Sequence, residues 1–122
     1  MSRHRLDGLR LLVVEDEALV AMLLEDTLRA LGCRCVGPAG NVAQALALLE
    51  REDVDLALLD VNLGGGERSY PVADALVARG IRFIFVTGYG VSGVDRRYDP
   101  VRVLQKPFDE RQLAHAIAAG LD

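Results

Sequence analysis

The sequence predicts a doubly wound, three-layer α/β domain, a five-stranded parallel sheet in the order 2-1-3-4-5 with helices on both faces. Three observations predict it. Short apolar runs alternate with stretches of helical periodicity along the 122 residues, as crossovers between parallel strands require. The runs are continuous rather than alternating, the mark of strands buried on both faces. Four of the five runs lead into polar or charged residues, and in open parallel sheets ligands sit beyond that end of the strands.

The first strand is expected over 9–14. From 18 to 31, Leu19, Met22, Leu23, Leu28 and Leu31 recur at helical spacing, with acids early, Arg29 late and Gly32 as a stop. A short second strand over 34–36 ends at Gly37-Pro38, and Asn41 caps a helix carrying Val42, Ala45, Leu46 and Leu49. Residues 54–59 read as the third strand, 62–69 as a glycine-rich loop, 72–79 as a short helix, 81–86 as the fourth strand and 101–104 as the fifth. The last helix, about 109–119, starts with acids and carries a stripe of Leu113, Ala116 and Ile117. Between the fourth and fifth strands, Gly88, Gly90 and Gly93 interrupt the apolar Val91, Val94 and Tyr98. Glycine costs about 1 kcal/mol in a helix interior relative to alanine, so the fourth helix is expected to be short, frayed or absent.

The length suits one domain over 1–122, with 1–8 expected as a flexible tail. Hydrophobic residues at 51% against 26% charged support a packed interior. A formal net charge of -4 leaves no basic footprint for a phosphate backbone, so direct nucleic-acid binding is not expected. No apolar run approaches the roughly 18 residues of a membrane span, and the first ten residues lack a signal-peptide core. A cytoplasmic protein without a membrane role is expected. Cys33 and Cys35 match no zinc or redox spacing and read as packed or partly exposed thiols, and His4 and His115 have no metal-ligand company.

The strand ends carry the chemistry. Strand one runs into Glu15-Asp16, strand three into Asp60, strand four into Thr87, and strand five, after Gln105, into Lys106-Pro107. Strand two leads instead to Gly37-Pro38-Ala39-Gly40, as suits an edge strand outside the site. Singly, an Asp after a strand is most often a turn or cap residue, and a Lys-Pro is surface punctuation. Their combination, in this order, is the signal. Three converging carboxylates repel one another unless a positive charge lies between them, and magnesium takes carboxylates while keeping positions for water and phosphoryl oxygens. Asp16 and Asp60 are the expected direct ligands, with Glu15 acting through water. Lys106 supplies a point charge and the Thr87 hydroxyl a hydrogen bond to a phosphoryl group. Asp60 is the candidate nucleophile, since a carboxylate can form an aspartyl phosphate.

These residues, Glu15-Asp16 in LLVVEDE, Asp60 in LALLDVNL, Thr87 in FIFVTGYG and Lys106-Pro107 in VLQKPF, resemble the receiver domains of two-component response regulators over essentially the whole chain. The resemblance implies a flavodoxin-like fold and Mg2+-dependent phosphoryl transfer to Asp60 from the phosphohistidine of a sensor histidine kinase or phosphotransfer protein. It implies a further magnesium ligand, the backbone carbonyl of Asn62, and a cis Lys106-Pro107 bond. An unnamed downstream protein would receive the signal by contact. In the family, Thr87 moves toward the phosphoryl group while an aromatic residue three positions before the lysine turns inward. That position is Val103 here. FIFVTGYG is similar to the signature of the compact FATGUY-type receivers, with Val86 in place of the alanine, which makes Tyr89 a candidate substitute switch beside Thr87; the alternative is an ordinary exposed loop aromatic. Phosphorylation is expected to order residues 87–100.

Two rival readings stand beside this one. A haloacid dehalogenase-like phosphatase matches Asp60, Thr87 and Lys106 superficially, but needs a second acid where Asn62 stands and opens its core with the nucleophile strand. A pseudo-receiver keeps the fold as a protein-interaction module without phosphorylation; the intact acids, Thr87 and Lys106 oppose it.

Overall fold

The computed structural model describes residues 6–88, 93–98 and 102–121. Its elements are β1 (Arg10–Val14), α1 (Ala18–Ala30), β2 (Arg34–Ala39), α2 (Val42–Arg51), β3 (Leu56–Asp60), β4 (Asn62–Leu63), β5 (Glu67–Arg68), α3 (Tyr70–Ala78), β6 (Arg82–Thr87), β7 (Arg102–Gln105) and α4 (Glu110–Gly120). The main sheet has the order β2-β1-β3-β6-β7, every neighbouring pair parallel. This is the order read from the strand ends, and the architecture is a flavodoxin-like three-layer fold.

Alternation of side chains along the strands divides the core in two. Leu12, Val14, Ala57, Leu59 and Phe85 face α2 and α3, where Ala45, Leu49, Val72 and Leu76 meet them. Leu11, Val13, Leu58, Ile84 and Val86 face α1 and α4, packing on Leu24, Leu28, Leu113 and Ile117. Fully burying such a side chain stabilises by about 1.5–3 kcal/mol, so each strand is held from both sides and its polar end is fixed in space. The helices begin where the sequence signals them. The Asn41 side chain accepts from Gln44 N at 2.8 Å, and Asp109 and Gln112 form a reciprocal capping box, each cap contributing about 1 kcal/mol. Helix α1 stops at Gly32, whose φ of +90° suits only glycine and where a Cβ would fall 2.2 Å from Asp7 Oδ1.

Three expectations need correction. Of the supposed tail, residues 6–8 are tied to the domain: Leu6 is buried against the α1–α4 face, its carbonyl accepts from the Cys33 thiol, and Gly8, though exposed, donates its N–H to Gly32 O. A lone leucine amid polar residues carried too little pattern to reveal this. The second strand does not end at Val36 but runs through a cis Gly37-Pro38 bond to Ala39, with an irregularity in its register against β1. β2 lies at the sheet edge, where a residue without an N–H is tolerated. The 62–69 segment is not an open loop, because β4 and β5 pair as an antiparallel hairpin, Asn62 opposite Arg68 and Leu63 opposite Glu67, with Leu63 buried beneath it.

Between β6 and β7 the described residues include a short 3-10 turn, Arg96–Tyr98, in keeping with the expected poor fourth helix. Tyr98 fills the space instead. Its ring is buried, stacks on Tyr70 at 5.3 Å and meets Phe85 edge-on at 5.3 Å. Its hydroxyl donates to Asp74, and the Arg97 guanidinium lies 4.7 Å from its ring centre. Cys33 is buried and Cys35 half-buried, both as free thiols.

Candidate functional site

The carboxyl ends of β1, β3, β6 and β7 bring the predicted residues together. Glu15 follows β1 and is buried at 3% exposure, its backbone N–H held by the Ala39 carbonyl of β2. Asp60 closes β3 at 9% exposure and Thr87 closes β6 at 2%. Asp16, one residue further, is exposed. One carboxylate oxygen from each of Glu15, Asp16 and Asp60 lies within 4.8 Å of the others.

Lys106 enters from the end of β7. Its backbone N–H donates to Thr87 O at 2.9 Å, and its Nζ reaches Glu15 Oε1 and Asp60 Oδ2, both at 3.1 Å. The Lys106-Pro107 bond is cis, as the family resemblance implied. Burial pulls the Lys106 ammonium down, yet the hydrogen bonds and charges of Asp60 and Glu15 outweigh it and leave its pKa raised. Burial pushes the Glu15 carboxyl above the ordinary range; the Glu17 N–H, at 3.0 Å from Oε2, opposes this, the Asp60 charge adds to the rise, and Lys106 opposes it.

The donor set fits magnesium. All three side chains offer hard oxygen atoms, and three carboxylates less one ammonium leave two negative charges for a divalent cation to balance. Asn62 lies in β4, two residues beyond Asp60, and its side chain is exposed. Val103 is half-buried in β7, opposite Phe85. Tyr89 lies outside the described residues.

Sequence reasoning missed two contacts. The Gly64 backbone N–H donates to Asp16 Oδ2 at 3.0 Å, and Glu67 Oε1 accepts from the N–H of Val42, the first residue of α2, at 3.1 Å. The Gly64-Gly65-Gly66 run was the one visible signal, and it indicated a turn rather than a partner.

A doubly wound sheet with an acid pair, a third acid, a hydroxyl and a lysine at successive strand ends defines a receiver. The chain belongs to the response regulator receiver domain family, whose model matches residues 11–118. This places it among the signalling modules of two-component systems. The solution structure of SdrG from Sphingomonas melonis Fr1 superposes with a TM-score of 0.84 at 50% identity, covering 94% of this chain and 98% of that one. The transcriptional regulatory protein PdtaR of Mycobacterium tuberculosis is 32% identical over 111 residues, 88% of this chain and 54% of its own length. The phyllosphere-induced regulator PhyR of Methylorubrum extorquens is 30% identical over 114 residues, 91% of this chain and 43% of its own. The chain thus spans about half the length of the curated relatives it matches. A CheY-like receiver from Methylobacillus flagellatus, 20% identical with a TM-score of 0.81, shares the fold. No helix among the described residues is long and apolar enough to cross a membrane.

Proposed function

We propose that the chain accepts a phosphoryl group on Asp60, with Mg2+, from the phosphohistidine of a sensor histidine kinase or phosphotransfer protein, and passes the signal on by protein contact. The observation that carries this reading is Lys106 Nζ held 3.1 Å from both Asp60 and Glu15 at the mouth of the sheet. A lysine so placed is a fixed positive charge beside the reacting carboxylate.

The Asp60 carboxylate oxygen attacks phosphorus, the P–N bond to the donor imidazole breaks, and the imidazole leaves with the electron pair and takes up a proton. Lys106 neutralises charge on the phosphoryl oxygens, and the Thr87 hydroxyl donates a hydrogen bond to one of them. Asp16, Asp60, the Asn62 carbonyl and, through water, Glu15 would hold magnesium, which when bound offsets the negative charge of the approaching phosphoryl group. Most of the acceleration is positioning and charge stabilisation.

A protein donor suits the surroundings better than a small phosphate ester. Beside Lys106 lies a groove of about 280 Å3 lined by Val20, Leu23, Leu24, Thr27, Pro107 and Phe108, and Leu19 and Met22 of the same helix are exposed. A BeF3-activated conformation of SdrG, at 51% identity, has been solved, and beryllofluoride mimics a carboxylate-bound phosphoryl group. Thr87 and Tyr89 are the switch residues of this reading, with 87–100 the segment that responds.

The test is intact mass after incubation with acetyl phosphate or phosphoramidate and magnesium. The wild type should gain one phosphoryl group and Asp60→Asn none. An equal gain in Asp60→Asn would remove Asp60 as acceptor, and no gain from these donors or from a phosphorylated kinase would leave a pseudo-receiver.

A further inference from the structure

Resting on the magnesium reading above, we propose that the β4–β5 hairpin is a positioning element for the cation site: the Gly64 backbone N–H sets the Asp16 carboxylate, and Glu67 holds the hairpin where it can do so.

The hairpin is too short to stand alone. Its strands have two residues each, and isolated hairpins are marginal in water even when longer. It is fastened at three points. Leu63 is buried in the core at 1% exposure. Glu67 Oε1 accepts from Val42 N at 3.1 Å, satisfying one of the N–H groups that the start of α2 leaves without an intrahelical partner and placing negative charge at the helix's positive end. At the turn, Gly64 N donates to Asp16 Oδ2 at 3.0 Å, bridging residues 48 apart in sequence.

Gly64 is glycine for a different reason from its neighbours. Gly65 and Gly66 have φ of +72° and +80° in open space, so there the backbone demands glycine. Gly64 is not in the left-handed region, yet a Cβ on it would lie 3.1 Å from Asp16 Oδ2. Close approach to a carboxylate is what the position requires. Asp16 is exposed and would otherwise sample several rotamers; one oxygen fixed by a backbone N–H leaves the group oriented, with lone pairs to spare for a cation. Hydrogen-bond donors to a ligating carboxylate tune metal affinity about 10–100-fold, and magnesium demands near-ideal octahedral geometry. A shift of a few tenths of an ångström at Asp16 is therefore felt in affinity.

Magnesium titration of the full chain, followed by amide NMR shifts and calorimetry, tests this without any phosphoryl donor. Gly64→Ala and Glu67→Ala should each bind magnesium about tenfold more weakly than wild type, while Glu67→Gln, whose amide oxygen still accepts from Val42 N, should bind as wild type does. In the wild type, the Gly64 amide should shift as magnesium saturates. Wild-type affinity in either alanine variant would overturn the proposal, as would a loss in Glu67→Gln equal to that in Glu67→Ala. A wild type that binds no magnesium would instead overturn the cation reading and this inference with it.

Discussion

Replacing Lys106 by methionine removes the one ammonium among three carboxylates and keeps most of the side chain's bulk. The Nζ makes two charge-assisted contacts at 3.1 Å, and the Glu15 side chain it serves is 1% exposed, that of Asp60 11%. Breaking a buried pair from one side typically costs about 3–5 kcal/mol. Lys106 is 27% exposed, so water takes over part of its role, and the burial cost of the ammonium is recovered. A net loss of about 2 kcal/mol remains. In a domain of this size, that lowers Tm by roughly 8 °C. The assay is thermal and urea unfolding followed by circular dichroism at neutral pH, with and without magnesium. The deficit should appear without the cation and shrink with it, because magnesium bound as proposed would neutralise the same carboxylates and stabilise the folded state. An unchanged Tm in Lys106→Met without magnesium would refute the argument that this lysine holds the acids together.

Other outcomes follow from the same geometry. Asp55 takes hydrogen bonds from the Arg10 side chain and backbone N–H, and the Arg10 contacts hold its carboxyl below the ordinary 3.8. A depressed folded-state pKa stabilises above the unfolded value and loses that contribution as pH falls through the folded one. Urea unfolding across pH should therefore show Asp55→Asn less stable than wild type at neutral pH and level with it in strong acid. Burial, aided by the Asp74 hydrogen bond, pushes the Tyr98 phenol up to about 12; the stability this confers is complete below about 10, the ordinary value, and lost as pH rises through the folded value. Tyr98→Phe keeps the ring packing and should cost about 1 kcal/mol in urea unfolding, with Tyr98 missing from the late phase of a tyrosinate absorbance titration. Burial pushes the Cys35 thiol up to about 11 and raises that of Cys33, so both should react with a thiol reagent far more slowly in the native chain than in urea; equal rates would contradict their packing.

The elements most legible in the sequence were those whose evidence is local. Apolar runs such as 54–59 announce buried strands, two residues off the observed start and one off the end, and Asn41 and Asp109 announce helix starts through side chains that reach only three residues. The strand order was legible because function marks strand ends: β2, with no chemical group at its end, was placed at the edge by that lack. What stayed hidden depends on partners distant in sequence. The burial of Leu6 needs Cys33 and the α1–α4 face, the length of β2 needs the resumed pairing of Ala39 with Val14, and the Asp16–Gly64 contact spans 48 residues. No window of periodicity contains such pairs. The site followed the same rule, its residue types readable one strand end at a time, whereas the sharing of Lys106 between Glu15 and Asp60 is a fact of three dimensions.

The span of that sharing bears on biosynthesis. Glu15 and Lys106 are 91 residues apart, and Asp60 and Lys106 are 46. A chain emerging from the ribosome holds its acids long before it holds the lysine that tempers them. Until β7, the last strand in sequence, is in place, Glu15 and Asp60 lack the ammonium that both of them contact. The charge balance of the site is thus completed only by the strand that comes last in the chain.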